Sequence, residues 1–143
     1  MLKQVFKGRQ SMSIFKAIFG ICETKKLDNG LWQKDGDIIK IELDKAPQLA
    51  HNDRAVYLKG SGLEAPVLVV RNKDGQFIAF KNKCTHKGRK IDPVPGENKL
   101  KCCSISHSTF DSQGNVLSGP AEGPLTIYET TRDGNNLVIK VTS

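Results

Sequence analysis

Two short segments of the chain gather residue types that bind metals. One reads Cys84-Thr85-His86-Lys87-Gly88-Arg89; the other reads Cys103-Ser104-Ile105-Ser106-His107-Ser108-Thr109-Phe110-Asp111, with sixteen residues between His86 and Cys103. Two cysteines and two histidines on paired loops supply the donors of a mixed-ligand site, in which thiolates hold one iron and imidazoles a second. A single tetrahedral zinc held by Cys84, His86, Cys103 and His107 is chemically ordinary too. Cys84 and His86 occupy alternate positions, and alternate side chains of an extended segment point the same way, so both can converge on one centre.

Such loops need a rigid scaffold, and each follows a run that reads as a strand. From Asp37 onward short β-type runs alternate with turn residues, the pattern of an antiparallel β domain. The candidate strands are Ile38–Leu43, Ala55–Leu58, Val67–Val70, Phe77–Phe80, Lys99–Cys102, Asn115–Leu117, Leu125–Tyr128 and Leu137–Val141. Asp74-Gly75 and Asp133-Gly134 each separate two of these runs, which marks two hairpins. Lys45 to Asn52 reads as a single helical turn or a loop, and His51 within it as a surface residue. Residues Met1 to about Cys22 read as a short amphipathic helix, because Phe15, Ile18, Phe19 and Cys22 recur at helical steps. Its apolar face packs on the domain or, helped by Lys3, Lys7, Arg9 and Lys16, docks on a partner or membrane surface. The expected organisation is a helical segment over 1–30 and one mainly β domain over 31–143.

Composition narrows the function classes. A chain of 143 residues is one domain's worth. Twenty-two Lys and Arg against fifteen Asp and Glu give a formal charge of +7, a field suited to an acidic partner. The lysines are scattered, and no basic helix or base-stacking aromatic set accompanies them, which argues against nucleic acid. Four cysteines, Cys22, Cys84, Cys102 and Cys103, without a secretory signal argue against a disulfide framework and for thiolate ligands. The apolar stretches near the start are cut by Lys16 and Gly20, too short for a signal core or a membrane span, so the expected compartment is the cytoplasm. No dinucleotide fingerprint and no carboxylate or nucleophile constellation lies beside the metal-type loops, and no catalytic residue is assigned.

At these loops the chain resembles the Rieske family, whose first ligand loop commonly reads Cys-Thr-His-x-Gly and whose second reads Cys-Pro-x-His-x-Ser-x-Tyr/Phe-Asp. A third element, Ser118-Gly119-Pro120-Ala121-Glu122-Gly123-Pro124-Leu125, is similar to the proline-bearing loop that covers the family's cluster. The resemblance runs from about Ile38 to Val141. It implies a Rieske-type antiparallel β domain, a [2Fe-2S] cluster and single-electron transfer, as a ferredoxin-like carrier or small subunit of an oxidoreductase. The alternative is a non-redox structural or regulatory module with a degenerate or zinc-bound site.

The second loop departs from the family pattern. With Ser108, Phe110 and Asp111 aligned to the family's residues, Cys103 falls on the ligand cysteine, but Ser106 falls on the ligand histidine and His107 lies one residue later. Three completions stay open: His107 as the ligand from a rearranged loop; Cys102, Ser106 or Cys22 in an unusual shell; or a site without a cluster. Cys102 adjoins Cys103, and neighbours on a strand point oppositely, so it reads as buried. Cys22 reads as core, since free cysteine buries readily.

The resemblance also gives roles to the residues around the ligands. Ser108 matches a position whose hydroxyl donates to a bridging sulfide, and Phe110 cannot donate where some relatives carry Tyr. Pro120 belongs to the covering loop. Arg89 and Ile105 stand where high-potential relatives carry a loop disulfide, which implies a low to intermediate potential. An exposed iron-bound imidazole couples electron transfer to pH. Lys87, Arg89 and Lys90 follow the first pair and suit an acidic flavoprotein reductase or oxygenase as redox partner.

Overall fold

The computed structural model describes residues 22–60, 62–85, 88–94, 96–103 and 108–141. The expected N-terminal helix, His86, Lys87, Ser106 and His107 lie outside the described residues. Within them are β1 (Lys25–Lys26), β2 (Trp32–Asp35), β3 (Ile38–Glu42), β4 (Arg54–Leu58), β5 (Val67–Arg71), β6 (Phe77–Lys81), β7 (Ile91–Val94), β8 (Lys99–Cys102), β9 (Thr109–Asp111), β10 (Val116–Ser118), β11 (Ile127–Asp133) and β12 (Asn136–Lys140). The mainly β expectation is met. Short 3-10 turns at Leu43–Lys45 and Pro47–Leu49 fall in and beside the segment read as a helical turn or loop.

The strands form an eight-stranded sheet ordered β1-β4-β5-β6-β11-β12-β3-β2 and a four-stranded sheet ordered β10-β9-β8-β7. Both expected hairpins are present: β5 pairs antiparallel with β6 around Asp74-Gly75, and β11 with β12 around Asp133-Gly134. β1 runs parallel to β4, so residues just after Cys22 join the body of the sheet.

The sequence reading passed over β1, β2, β7 and β9. β7 contains Asp92 and Pro93, types depleted in strands. Proline is tolerated there because β7 is an edge strand, where a missing N–H costs no ladder bond. β2 is also an edge, with Trp32 its only buried residue, and its signal lay in the Gly36-Asp37 turn that joins it to β3.

β5 explains how the two sheets share a wall. Val67, Leu68, Val69 and Val70 are all buried, and alternation sends their side chains to opposite faces. Val67 and Val69 enter a large core with Trp32, Ile39, Ile41, Val56, Leu58, Leu137 and Ile139. Leu68 and Val70 enter a smaller one with Phe80, Cys84, Ile91, Leu100, Cys102, Phe110 and Leu125. The second core supports the cysteine loops.

Candidate metal centre

The first loop leaves β6 and turns back at once. The N–H of Cys84 donates to the carbonyl of Arg89 at 2.7 Å, and the N–H of Gly88 donates to the carbonyl of Cys84 at 2.9 Å. Gly88 has φ +68°, a left-handed conformation that glycine adopts without steric cost. The turn is locked from below by Asn82, 2% exposed, whose Oδ1 accepts the N–H of Ile91 at 2.7 Å.

The second loop closes on the same backbone. The N–H of Cys103 donates to the carbonyl of Lys90 at 2.9 Å, and that of Cys102 to the carbonyl of Ser108 at 2.8 Å. Cys84 and Cys103, one from each loop, therefore bond to consecutive residues of one segment. Cys84 is 1% exposed and Cys103 6%. Cys102, 2% exposed, joins the smaller core, as expected of a buried residue on the inward face of β8.

The third loop is tied to both. Thr85 Oγ1 donates to the carbonyl of Gly123 at 2.7 Å, and Ser108 Oγ accepts the N–H of Ala121 at 2.9 Å. Ser108 is 1% exposed, while neighbouring Pro120 is exposed. Gly114 makes the close approach that seats this loop: its carbonyl accepts the N–H of Leu125 at 2.8 Å, and a Cβ there would lie 3.2 Å from Leu125. Phe110 is fully buried and fills the smaller core beneath the cysteines.

One covalent bond corrects the cysteine reading. Cys22 and Cys103 form a disulfide across 81 residues of sequence, with Cα atoms 5.4 Å apart. Cys22, read as core, is half-buried and bonded to a cysteine read as a ligand. The cause is tertiary. Asp92 is 4% exposed; its Oδ2 accepts the N–H of Glu23 at 2.7 Å, and its Oδ1 accepts the N–H of Thr24 at 3.1 Å and Thr24 Oγ1 at 2.5 Å. That carboxylate clamps the segment after Cys22 beside Cys103. Nothing in the local sequence around Asp92 announces this role.

Charge around the loops is positive and partly engaged. Arg89 is exposed, whereas the Lys90 ammonium lies 4.5 Å from the centroid of the Tyr57 ring, a cation–π contact. At the end of β9, Asp111 Oδ1 accepts the N–H groups of Asn115 at 2.9 Å and Gln113 at 2.8 Å. The Asn115 N–H bond, more than any other contact, holds the Asp111 carboxyl below the usual value of 3.8. His51 is exposed.

The profile of the Rieske [2Fe-2S] domain matches residues 31–129. Sixty residues are 42% identical to the alpha subunit of biphenyl 2,3-dioxygenase from Rhodococcus jostii (strain RHA1), over 41% of this chain and only 13% of that relative's length. Among solved structures, the plasma membrane Rieske protein PetC3 from Synechocystis PCC 6803 is 36% identical with a TM-score of 0.50, over 59% of this chain and 86% of that one. The ferredoxin of carbazole 1,9a-dioxygenase from Nocardioides aromaticivorans IC177 superposes with a TM-score of 0.53 over 64% of this chain and 88% of that one, and at 20% identity it attests the fold alone. With the matched profile spanning both cysteine loops and the loop that joins them, the chain belongs to the Rieske [2Fe-2S] domain family.

Proposed function

We propose that this chain transfers single electrons through a [2Fe-2S] cluster, with Cys84 and Cys103 on one iron and His86 and His107 on the other, as a ferredoxin-like carrier or small oxidoreductase subunit. The observation that carries this reading is the closure of both cysteine loops on the Arg89-Lys90 backbone. Two thiolates are needed on one iron. Cys84 is a buried thiol, and Cys103 supplies the second once its disulfide is reduced, so the cysteine donors fit the group in the dithiol form. When bound, the cluster accepts and returns one electron.

The chain's own residues tune and shield that site. Thr85 and Ser108 pin the proline-bearing loop over the ligand loops, which limits solvent. The remaining Ser108 proton is available to a cluster sulfur, and such a bond favours the reduced state. Phe110 offers no second donor, and the potential is low to intermediate. Exposed Arg89 presents positive charge to an acidic reductase or oxygenase, and Lys87 adds to that charge in the sequence, in keeping with the dioxygenase subunit among the relatives. No described helix is long and apolar enough to cross a membrane, which is compatible with work in the cytoplasm.

Anaerobic purification tests this. The expected product is coloured, carries iron and acid-labile sulfide in equal amounts, and gives a Rieske-type paramagnetic signal on reduction; a colourless product after thiol reduction refutes the reading. Replacing His107 and Ser106 separately by Ala tests the register, with cluster loss expected only for His107→Ala. A second reading, a non-redox module with zinc or no metal, draws support from the disulfide at Cys103. Metal analysis with zinc and no sulfide would establish it.

A further inference from the structure

We propose that Cys22 and Cys103 form a reversible thiol–disulfide site that withdraws Cys103 from the metal-binding set, so that oxidised chain is locked without its cluster and reduced chain is competent to take it. This rests on the assignment of Cys103 as a ligand. Cys84, the other assigned thiolate, lies outside the disulfide. Oxidation therefore removes one ligand and spares the other.

The pairing is built into the fold. Cys103 is fixed by its N–H bond to Lys90 at the end of β8. Cys22 is fixed from the other side by the Asp92 clamp on Glu23 and Thr24, by the pairing of β1 with β4, and by Leu27, which is fully buried and donates its N–H to the carbonyl of Tyr57 at 2.9 Å. The Cα separation of 5.4 Å is ordinary for a disulfide, so the anchored segments accommodate the bond in the folded chain.

The sulfur atoms of Cys22 and Cys103 and a carboxylate oxygen of Asp92 lie within 4.8 Å of one another, a grouping that also resembles a metal site. Both Asp92 oxygens are already accepting hydrogen bonds from Glu23 and Thr24. The carboxylate serves the polypeptide, and the two sulfurs serve each other.

Exchange follows ordinary dithiol chemistry. The thiolate of a reducing dithiol attacks the half-buried Cys22 sulfur, the disulfide breaks, and Cys103 leaves as a thiolate. The second thiol of the reductant then displaces Cys22, giving two protein thiols and one oxidised reductant, with two electrons transferred. Oxidation by a small-molecule or protein disulfide runs the same steps in reverse.

The test uses the full chain freed of metal and equilibrated with mixtures of oxidised and reduced glutathione. Alkylation and peptide mass analysis should find loss of two thiols together and a peptide joining Cys22 to Cys103. Cluster uptake from iron and sulfide, read by visible absorption, should be lost in the oxidised chain, which lacks one thiolate ligand, and recover after a dithiol. Cys22→Ser should keep full uptake after the same oxidation. Thr24→Val, which loses one clamp bond, should shift the oxidised fraction toward dithiol by several-fold, and it tests the idea even if the serine variant folds poorly. Equal uptake by oxidised and reduced chain, or no Cys22–Cys103 peptide at any glutathione ratio, overturns the proposal alone. Failure of fully reduced wild type to take up any cluster overturns the assignment of Cys103 and the proposal together.

Discussion

The two cores of this protein are built on different principles. The large one is made by regular alternation along paired strands: Ile39 faces Ile139 and Ile41 faces Leu137 across β3 and β12, and all four are at most 1% exposed. The smaller one packs fewer side chains, and the loops above it are held by backbone bonds, the disulfide at Cys103 and individual side-chain hydrogen bonds at Asn82, Thr85 and Ser108. Burying apolar area is non-directional and tolerant, whereas a buried polar tether is costly to leave half-made. The scaffold is thus robust where nothing chemical happens, and the metal-type loops depend on a few specific contacts.

The largest expected effects come from core truncation. Phe110→Ala should cost about 3–5 kcal/mol and Ile139→Ala about 2–5 kcal/mol, measured by urea unfolding. The two differ in where they act: hydrogen exchange should rise in the ligand loops for Phe110→Ala and across β3 and β12 for Ile139→Ala. Similar exchange patterns would erase the distinction between the cores. Asn82→Ala comes next, at about 1–3 kcal/mol, because it strands the buried N–H of Ile91. Protection of that amide should be lost first.

Ser108→Ala should cost about 0.5–1.5 kcal/mol through the lost bond to Ala121, and if Ser108 has the donor role proposed above the redox potential should fall as well. An unchanged potential would confine Ser108 to its loop tether. The smallest effect is the pH dependence of Asp111. Its folded carboxyl lies below the usual 3.8, so its stabilisation is complete above that value and is lost as pH falls through the lowered folded value. Between pH 5 and pH 2 the acid limb of stability should be shallower in Asp111→Asn than in wild type, by denaturant titration at each pH.

Much of the scaffold was legible because its signals are local. Asp74-Gly75 and Asp133-Gly134 marked real hairpins, and the runs at Val67, Phe77, Lys99 and Leu137 were strands. β7 was hidden because Pro93 and Asp92 weaken its local signal, and its strand state comes from pairing with β8. At the candidate site the sequence picked out Cys84 and Cys103 but was silent on Asn82 and Asp92, whose value lies wholly in what they hold.

The sequence by itself determined the mainly β class, the three ordered loops and the family they imply, because alternation, turn residues and ligand spacing are written within a few residues of each other. The tertiary structure alone decided which strand faces line which core, and that Cys22 meets Cys103 across 81 residues. That meeting depends on Asp92 gripping Glu23 and Thr24 from 69 and 68 residues away, a contact that exists only once the chain has folded.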